Sequence, residues 1–109
     1  MERRYYKAIN FDLDTRLLRQ YYKRYQQAYA DLLRFFIKRN FSHRQGSGYV
    51  SNDKLTSADI VDVIGDLRKE FEWSGTCIKK IDVTNVGVQY DLTELLASDD
   101  MQDVLFDID

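Results

Sequence analysis

Hydrophobic and polar residues alternate along residues 5–12: Tyr5, Lys7, Ile9 and Phe11 fall on one side, Tyr6, Ala8, Asn10 and Asp12 on the other. That period of two predicts a β-strand. Ile9 and Phe11 are the residues a helical layer should cover, which turns Asn10 and Asp12 to the opposite face. Over residues 15–39 the period changes. Leu18, Tyr22, Tyr25, Tyr29, Leu32 and Phe36 recur at steps of three and four, the stripe of one long, uninterrupted amphipathic helix with Asn40 as its stop. Tyr21, Tyr22, Tyr25 and Tyr29 crowd this stretch, and most should pack at the rim of the core with their hydroxyls reaching water. Base stacking by one or two of them is the alternative.

Residues 41–51 predict a hairpin about Gly46-Ser47-Gly48, where glycine permits a tight turn. Thr56 or Ser57 then caps a second helix with Ile60, Ile64, Leu67 and Phe71 on its inner side and Asp59, Asp62, Asp66 and Glu70 largely off that stripe. After Trp73-Ser74-Gly75, residues 77–90 are rich in Ile, Val and Thr and read as a final strand, bent near Asn85 to Gly87. The order β-α-β-β-α-β predicts an α+β, ferredoxin-like fold: an antiparallel sheet with two helices on one face. A one-sided helical layer leaves the other face open, and an open face with apolar content tends to be covered by a partner. A symmetric dimer packed there would bring two copies of Asp12 toward one axis.

Composition supports a single unit. With 109 residues, 44% of them hydrophobic, the chain can bury a core without staples. We divide it into a domain over residues 1–90 and an acidic C-terminal extension over 91–109. That extension carries seven acids and no base among Leu92, Leu95, Leu96, Met101, Val104, Leu105 and Ile108, and is expected to dock as a helix on a basic surface. Cys77 is the single cysteine, so no intrachain disulfide can form, and no apolar run has the length of a membrane span. The expected compartment is the cytoplasm, with no membrane partner.

Charge is split along the chain: residues 1–50 hold eleven Lys/Arg against four Asp/Glu, residues 51–109 five against fourteen. A basic first half suits phosphates, and the acidic tail could cover that surface and damp its activity. The alternative is that the two halves neutralise each other.

Few residues are candidates for chemistry. Asp12 and Asp14 lie at the carboxyl end of the first strand, where two carboxylates can hold a divalent cation or orient a water. Asp14 precedes Thr15 and is better explained as a helix N-cap; Asp12 has no such structural duty. His43 is the sole histidine, and its ordinary fate is packing or surface; in a mechanism using a ribose 2′-OH it would be the general base or acid, with Arg44 stabilising the phosphorane. Ser42 and Ser47 lack a nucleophile-elbow context, and Cys77 is expected to be a small buried residue. Phosphate-loop, zinc and dinucleotide motifs are absent from the sequence.

Three blocks carry a resemblance: Ala8-Ile9-Asn10-Phe11-Asp12-Leu13-Asp14-Thr15, then Ala28-Tyr29-Ala30-Asp31-Leu32, then Gln45-Gly46-Ser47-Gly48-Tyr49. In this order, within about residues 6–90, they resemble the virulence-associated protein D family. The resemblance implies a ferredoxin-like fold similar to the small CRISPR-associated nucleases, a homodimer, and endoribonuclease activity of a toxin-like kind opposed by an antitoxin protein. It puts the family's strand-end catalytic aspartate on Asp12 and does not secure Asp14. The chain departs from the family in its basic start, its long helix-like stretch after Arg16 and its acidic extension. Phe11 to Thr15 also looks like the first motif of haloacid dehalogenase-type phosphatases, but the usual glycine before the threonine is missing and the chain is too short for that core.

The resulting expectation is a cytoplasmic endoribonuclease with Asp12 and His43 as catalytic residues, Asp12 as ligand of Mg2+ if a cofactor is used, and Arg44, Tyr49, Ser47 and Asn10 as substrate contacts. The alternative is a non-catalytic dimeric module that binds nucleic acid or protein.

Overall fold

The computed structural model describes residues 3–87 and 92–97. Strand β1 (Tyr6–Leu13) leads into the short helix α1 (Thr15–Leu18), followed by α2 (Gln26–Lys38), the hairpin strands β2 (Phe41–His43) and β3 (Gly48–Ser51), helix α3 (Ser57–Glu70), the single turn α4 (Ser74–Cys77) and β4 (Ile78–Val86). A further turn, α5, spans Thr93–Leu96. The four strands form an antiparallel sheet in the order β2-β3-β1-β4, as expected for a ferredoxin-like arrangement.

Local chemistry sets the boundaries. The Thr56 hydroxyl accepts the N–H of Asp59 while the Asp59 carboxylate accepts the N–H of Thr56, a reciprocal cap that starts α3. Those hydrogen bonds hold the Asp59 carboxyl below its usual range. Asn40, at φ 65°, takes the left-handed position that ends α2, and Gly46, at φ 66°, does the same in the hairpin turn.

One side of β1 is the floor of the core. Ile9, Phe11 and Leu13 are buried beneath Leu32, Phe35 and Phe36 of α2 and Ile60 and Leu67 of α3, so both long helices cover the same face. Phe36 is the hub, stacked on Tyr49 at a ring separation of 4.3 Å and edge-on to Phe41 at 5.5 Å. Lys7, on the same side, is buried too, and its ammonium donates to Asn85 of β4. Arg39 lies 3.7 Å from the centre of the Phe35 ring and reaches Asp66 and Glu70, so two members of the acidic ridge of α3 bind α2 rather than only solvent.

The structure departs from the sequence pattern in two places. The expected continuous helix over residues 15–39 is broken: α1 closes after one turn with the Arg19, Gln20 and Tyr21 N–H groups donating three residues back, and α2 begins only at Gln26. Tyr22 explains why. Its hydroxyl donates to Asp31 at 2.6 Å and accepts from the Trp73 indole at 3.0 Å, and its ring meets Trp73 edge-on. Those tertiary contacts outweigh the modest helix preference of a segment rich in tyrosine. The second departure is at β4, which starts at Ile78 because residues 74–77 form α4. Its pairing with β1 runs regularly from Val86 to Lys80, and the register shifts between Asp12 and Leu13. Residues 88–91 and 98–109, with most of the predicted acidic extension and its docking, lie outside the described residues.

Candidate functional site

Alternation along β1 decides which way its polar residues face. Asn10 and Asp12 are exposed while Ile9, Phe11 and Leu13 are buried, so both polar side chains leave the sheet on the side opposite α2 and α3. The register places Lys80 directly opposite Asp12 and Asp82 directly opposite Asn10. Asn10, Phe11, Asp12, Lys80 and Asp82 line a shallow cavity of about 180 Å³. Two carboxylates, an ammonium and an amide thus share one patch, and among the described residues no ion pair or hydrogen bond engages the Asp12 carboxylate.

Asp14, two residues on, is engaged through one carboxylate oxygen. Its Oδ1 accepts the N–H groups of Arg16 and Leu17 at 3.0 and 3.1 Å and so caps α1. The break in β1–β4 register comes directly after Asp12, so Asp12 is the last residue of regular pairing before the chain turns into that cap.

β3 borders the patch from the other side. Gly48 pairs with Asn10, and a Cβ at Gly48 would lie 3.0 Å from Asn10 Oδ1 and 3.6 Å from Arg44 Cβ. Glycine here makes room for the Asn10 amide, and the Arg44 side chain is rooted on the same open face. The Arg44 N–H donates to the Gly48 carbonyl at 2.7 Å, and Phe11 N–H donates to the Ser47 carbonyl at 3.2 Å, which ties the hairpin turn to the middle of β1.

His43 and Tyr49 belong to the opposite side. They pair with each other across β2–β3, and Tyr49 pairs with the buried Ile9. Their rings lie 5.0 Å apart, His43 Nε2 is 2.8 Å from the Gly46 carbonyl, and burial pushes the Tyr49 hydroxyl up to about 12. Together with Tyr29, Leu33 and Ser47 they border a larger cavity of about 470 Å³ against α2. The sheet therefore separates the expected site residues into two groups: Asp12, Asn10 and the root of Arg44 on the open face, His43, Tyr49 and Ser47 on the helical one.

Lys80 and Asp82 were not legible as site residues, because a strand sequence shows which residues share a face but not which partner they meet. Cys77 is buried, and burial together with the Asp14 carboxylate raises its thiol above the usual range, so it is a poor nucleophile. Among the described residues no three Asp, Glu, His or Cys side chains converge to hold a metal ion. No helix among them is long and apolar enough to cross a membrane.

No protein-family model matches the chain. Two curated proteins do. The chain is 31% identical over 87 residues to Endoribonuclease VapD 2 of Riemerella anatipestifer, covering 78% of this chain and 93% of that protein. It is 26% identical over 85 residues to an Endoribonuclease VapD homolog of Helicobacter pylori, covering 78% and 90%.

Proposed function

The chain belongs to the virulence-associated protein D (VapD) family, and on that premise we propose that it is an endoribonuclease whose central residue is Asp12. The observation that carries the reading is the Asp12 carboxylate itself: exposed at the end of a strand, held by no ion pair or hydrogen bond among the described residues, and set beside a lysine on the open face. An unpaired carboxylate in that position can accept the proton of an attacking oxygen, either water or a ribose 2′-OH. Lys80 faces the same space and can balance the charge that grows on the phosphoryl oxygens. Asn10, held in place by the room at Gly48, offers an amide to the phosphate or ribose.

Asp12 and Asp82 with the Asn10 amide are oxygen donors of the kind that hold Mg2+ through one or two carboxylates and several waters. Such an ion, when bound, would lower the charge of the scissile phosphate. The open face supports a symmetric pairing of two copies, which would supply a second Asp12 to the same region. A toxin-like role in the cytoplasm, held in check by an antitoxin protein, completes the proposal.

Incubating end-labelled RNA with purified protein, with and without EDTA, tests it. Internal cleavage is expected; a 5′-phosphate terminus abolished by EDTA identifies metal-assisted hydrolysis, and a 2′,3′-cyclic phosphate identifies attack by the 2′-OH. Salt-sensitive RNA binding with no cleavage under any of these conditions would leave the chain a binding module.

A further inference from the structure

The helical face carries a second cavity system that the proposed chemistry at Asp12 does not use. The cavity of about 470 Å³ against α2 is walled by the rings of Tyr29, His43 and Tyr49 and by Leu33, a size and a mostly aromatic and apolar lining suited to a small planar ligand. Ala30 lines it as well, and Ala30 also lines an adjoining depression of about 650 Å³ formed with Arg24, Gln26 and Gln27. A slot for a ring system thus opens, across one small side chain, onto a guanidinium and two amides. Arg24 is exposed and joins no ion pair among the described residues, so its charge is available to a ligand. His43 is fixed by its Nε2 on the Gly46 carbonyl.

From this juxtaposition we infer that the helical face holds a nucleotide subsite, with a base between Tyr29 and His43 and its phosphate at Arg24, on the opposite side of the sheet from Asp12. Aromatic faces take any base by stacking, a cation takes the phosphate, and the Gln26 and Gln27 amides suit ribose hydroxyls. The assignment rests on RNA being the substrate, and it gives one nucleotide of that RNA an anchor remote from the cleaved bond. It also gives His43 and Tyr49 a binding task compatible with their distance from Asp12 across the sheet.

The test is a titration of 15N-labelled full-length protein with adenosine 5′-monophosphate and uridine 5′-monophosphate, followed by amide chemical shifts, with adenosine and inorganic phosphate as separate probes. Saturable shifts are expected at Ala30, Leu33, His43 and Ser47, whether or not the monophosphates also shift Asn10, Asp12 and Lys80 at the proposed cleavage site. Arg24→Gln, a change at an exposed side chain that leaves the fold intact, should weaken the monophosphates by at least about tenfold, the loss expected for one hydrogen bond to a charged group, and leave adenosine unaffected. Ala30→Glu, a helix-compatible change, should weaken the monophosphates further. Absence of saturable shifts on the helical face, or shifts confined to Asn10, Asp12 and Lys80, overturns the subsite. Failure of the nuclease reading looks different: the unaltered chain would leave RNA uncleaved, while the shifts at Ala30 and His43 would stand.

Discussion

Asp12 and Lys80 are direct partners across the β1–β4 ladder, a carboxylate and an ammonium side by side on the face of the sheet opposite α2 and α3. Direct cross-strand partners have Cβ atoms roughly 5 Å apart, close enough for each charge to act on a ligand held by the other. Yet the two do not close into an ion pair within the described residues, so both remain available.

Lys80→Met should therefore lower kcat/KM for RNA by about tenfold. The loss is smaller than that for removing a buried transition-state donor because solvent and salt already screen an exposed ammonium. Initial rates at low and high ionic strength check this: the defect should shrink as salt rises.

Asp14 is expected to contribute to stability through the cap of α1. Asp14→Ala removes the acceptor for the Arg16 and Leu17 N–H groups and should cost about 1 kcal/mol in urea unfolding, the usual magnitude for losing an N-cap. Asp12→Asn, at an exposed and unengaged side chain, should shift the same unfolding curve by less than about 0.5 kcal/mol.

These two aspartates mark how far the sequence could be read. The alternation of residues 5–12 placed Ile9 and Phe11 inward and Asp12 outward, and the proximity of Asp14 to Thr15 pointed to the cap, because both depend only on neighbours along the chain. The gap between α1 and α2 was not legible: Leu18, Tyr22, Tyr25 and Tyr29 keep helical spacing through residues 19–25 with no glycine or proline to mark a break. The break is held by Trp73, 51 residues away. Lys80 and Asp82 escaped notice for a related reason, since pairing register is a property of two strands together.

Stability should fall in alkali. Burial, and then the hydrogen bond to Asp31, push the Tyr22 hydroxyl up to about 12, and burial pushes Tyr49 to about 12 as well. The unfolded chain releases these protons near pH 10 and the folded chain holds them longer, so stability is complete below about pH 10 and is lost as pH rises from there toward 12. Urea midpoints measured at pH 9, 10 and 11 should decline in that order. Tyr22→Phe should flatten part of the decline, at a cost of roughly 1–3 kcal/mol at neutral pH because the Trp73 N–H and Asp31 Oδ2 lose the hydroxyl, while Asp31 Oδ1 keeps Arg34.

Gly48 is expected to matter through Asn10. A methyl group there would sit 3.0 Å from Asn10 Oδ1, and the exposed amide can swing away at little expense. Gly48→Ala should therefore change stability by less than about 1 kcal/mol while raising KM for RNA a few-fold with kcat retained, because the displaced amide no longer meets the substrate. Steady-state kinetics over a range of RNA concentrations separate the two parameters.

The proposal as a whole turns on the carboxylate at the end of β1. The direct measurement is the single-turnover cleavage rate of one defined RNA by Asp12→Asn and by the unaltered chain, prepared identically and shown to be equally folded. Loss of a group that takes a proton in the transition state predicts a rate reduced by about a hundredfold to ten-thousandfold. A rate within about threefold of the unaltered chain, less than 1 kcal/mol of barrier, would contradict the assignment of Asp12.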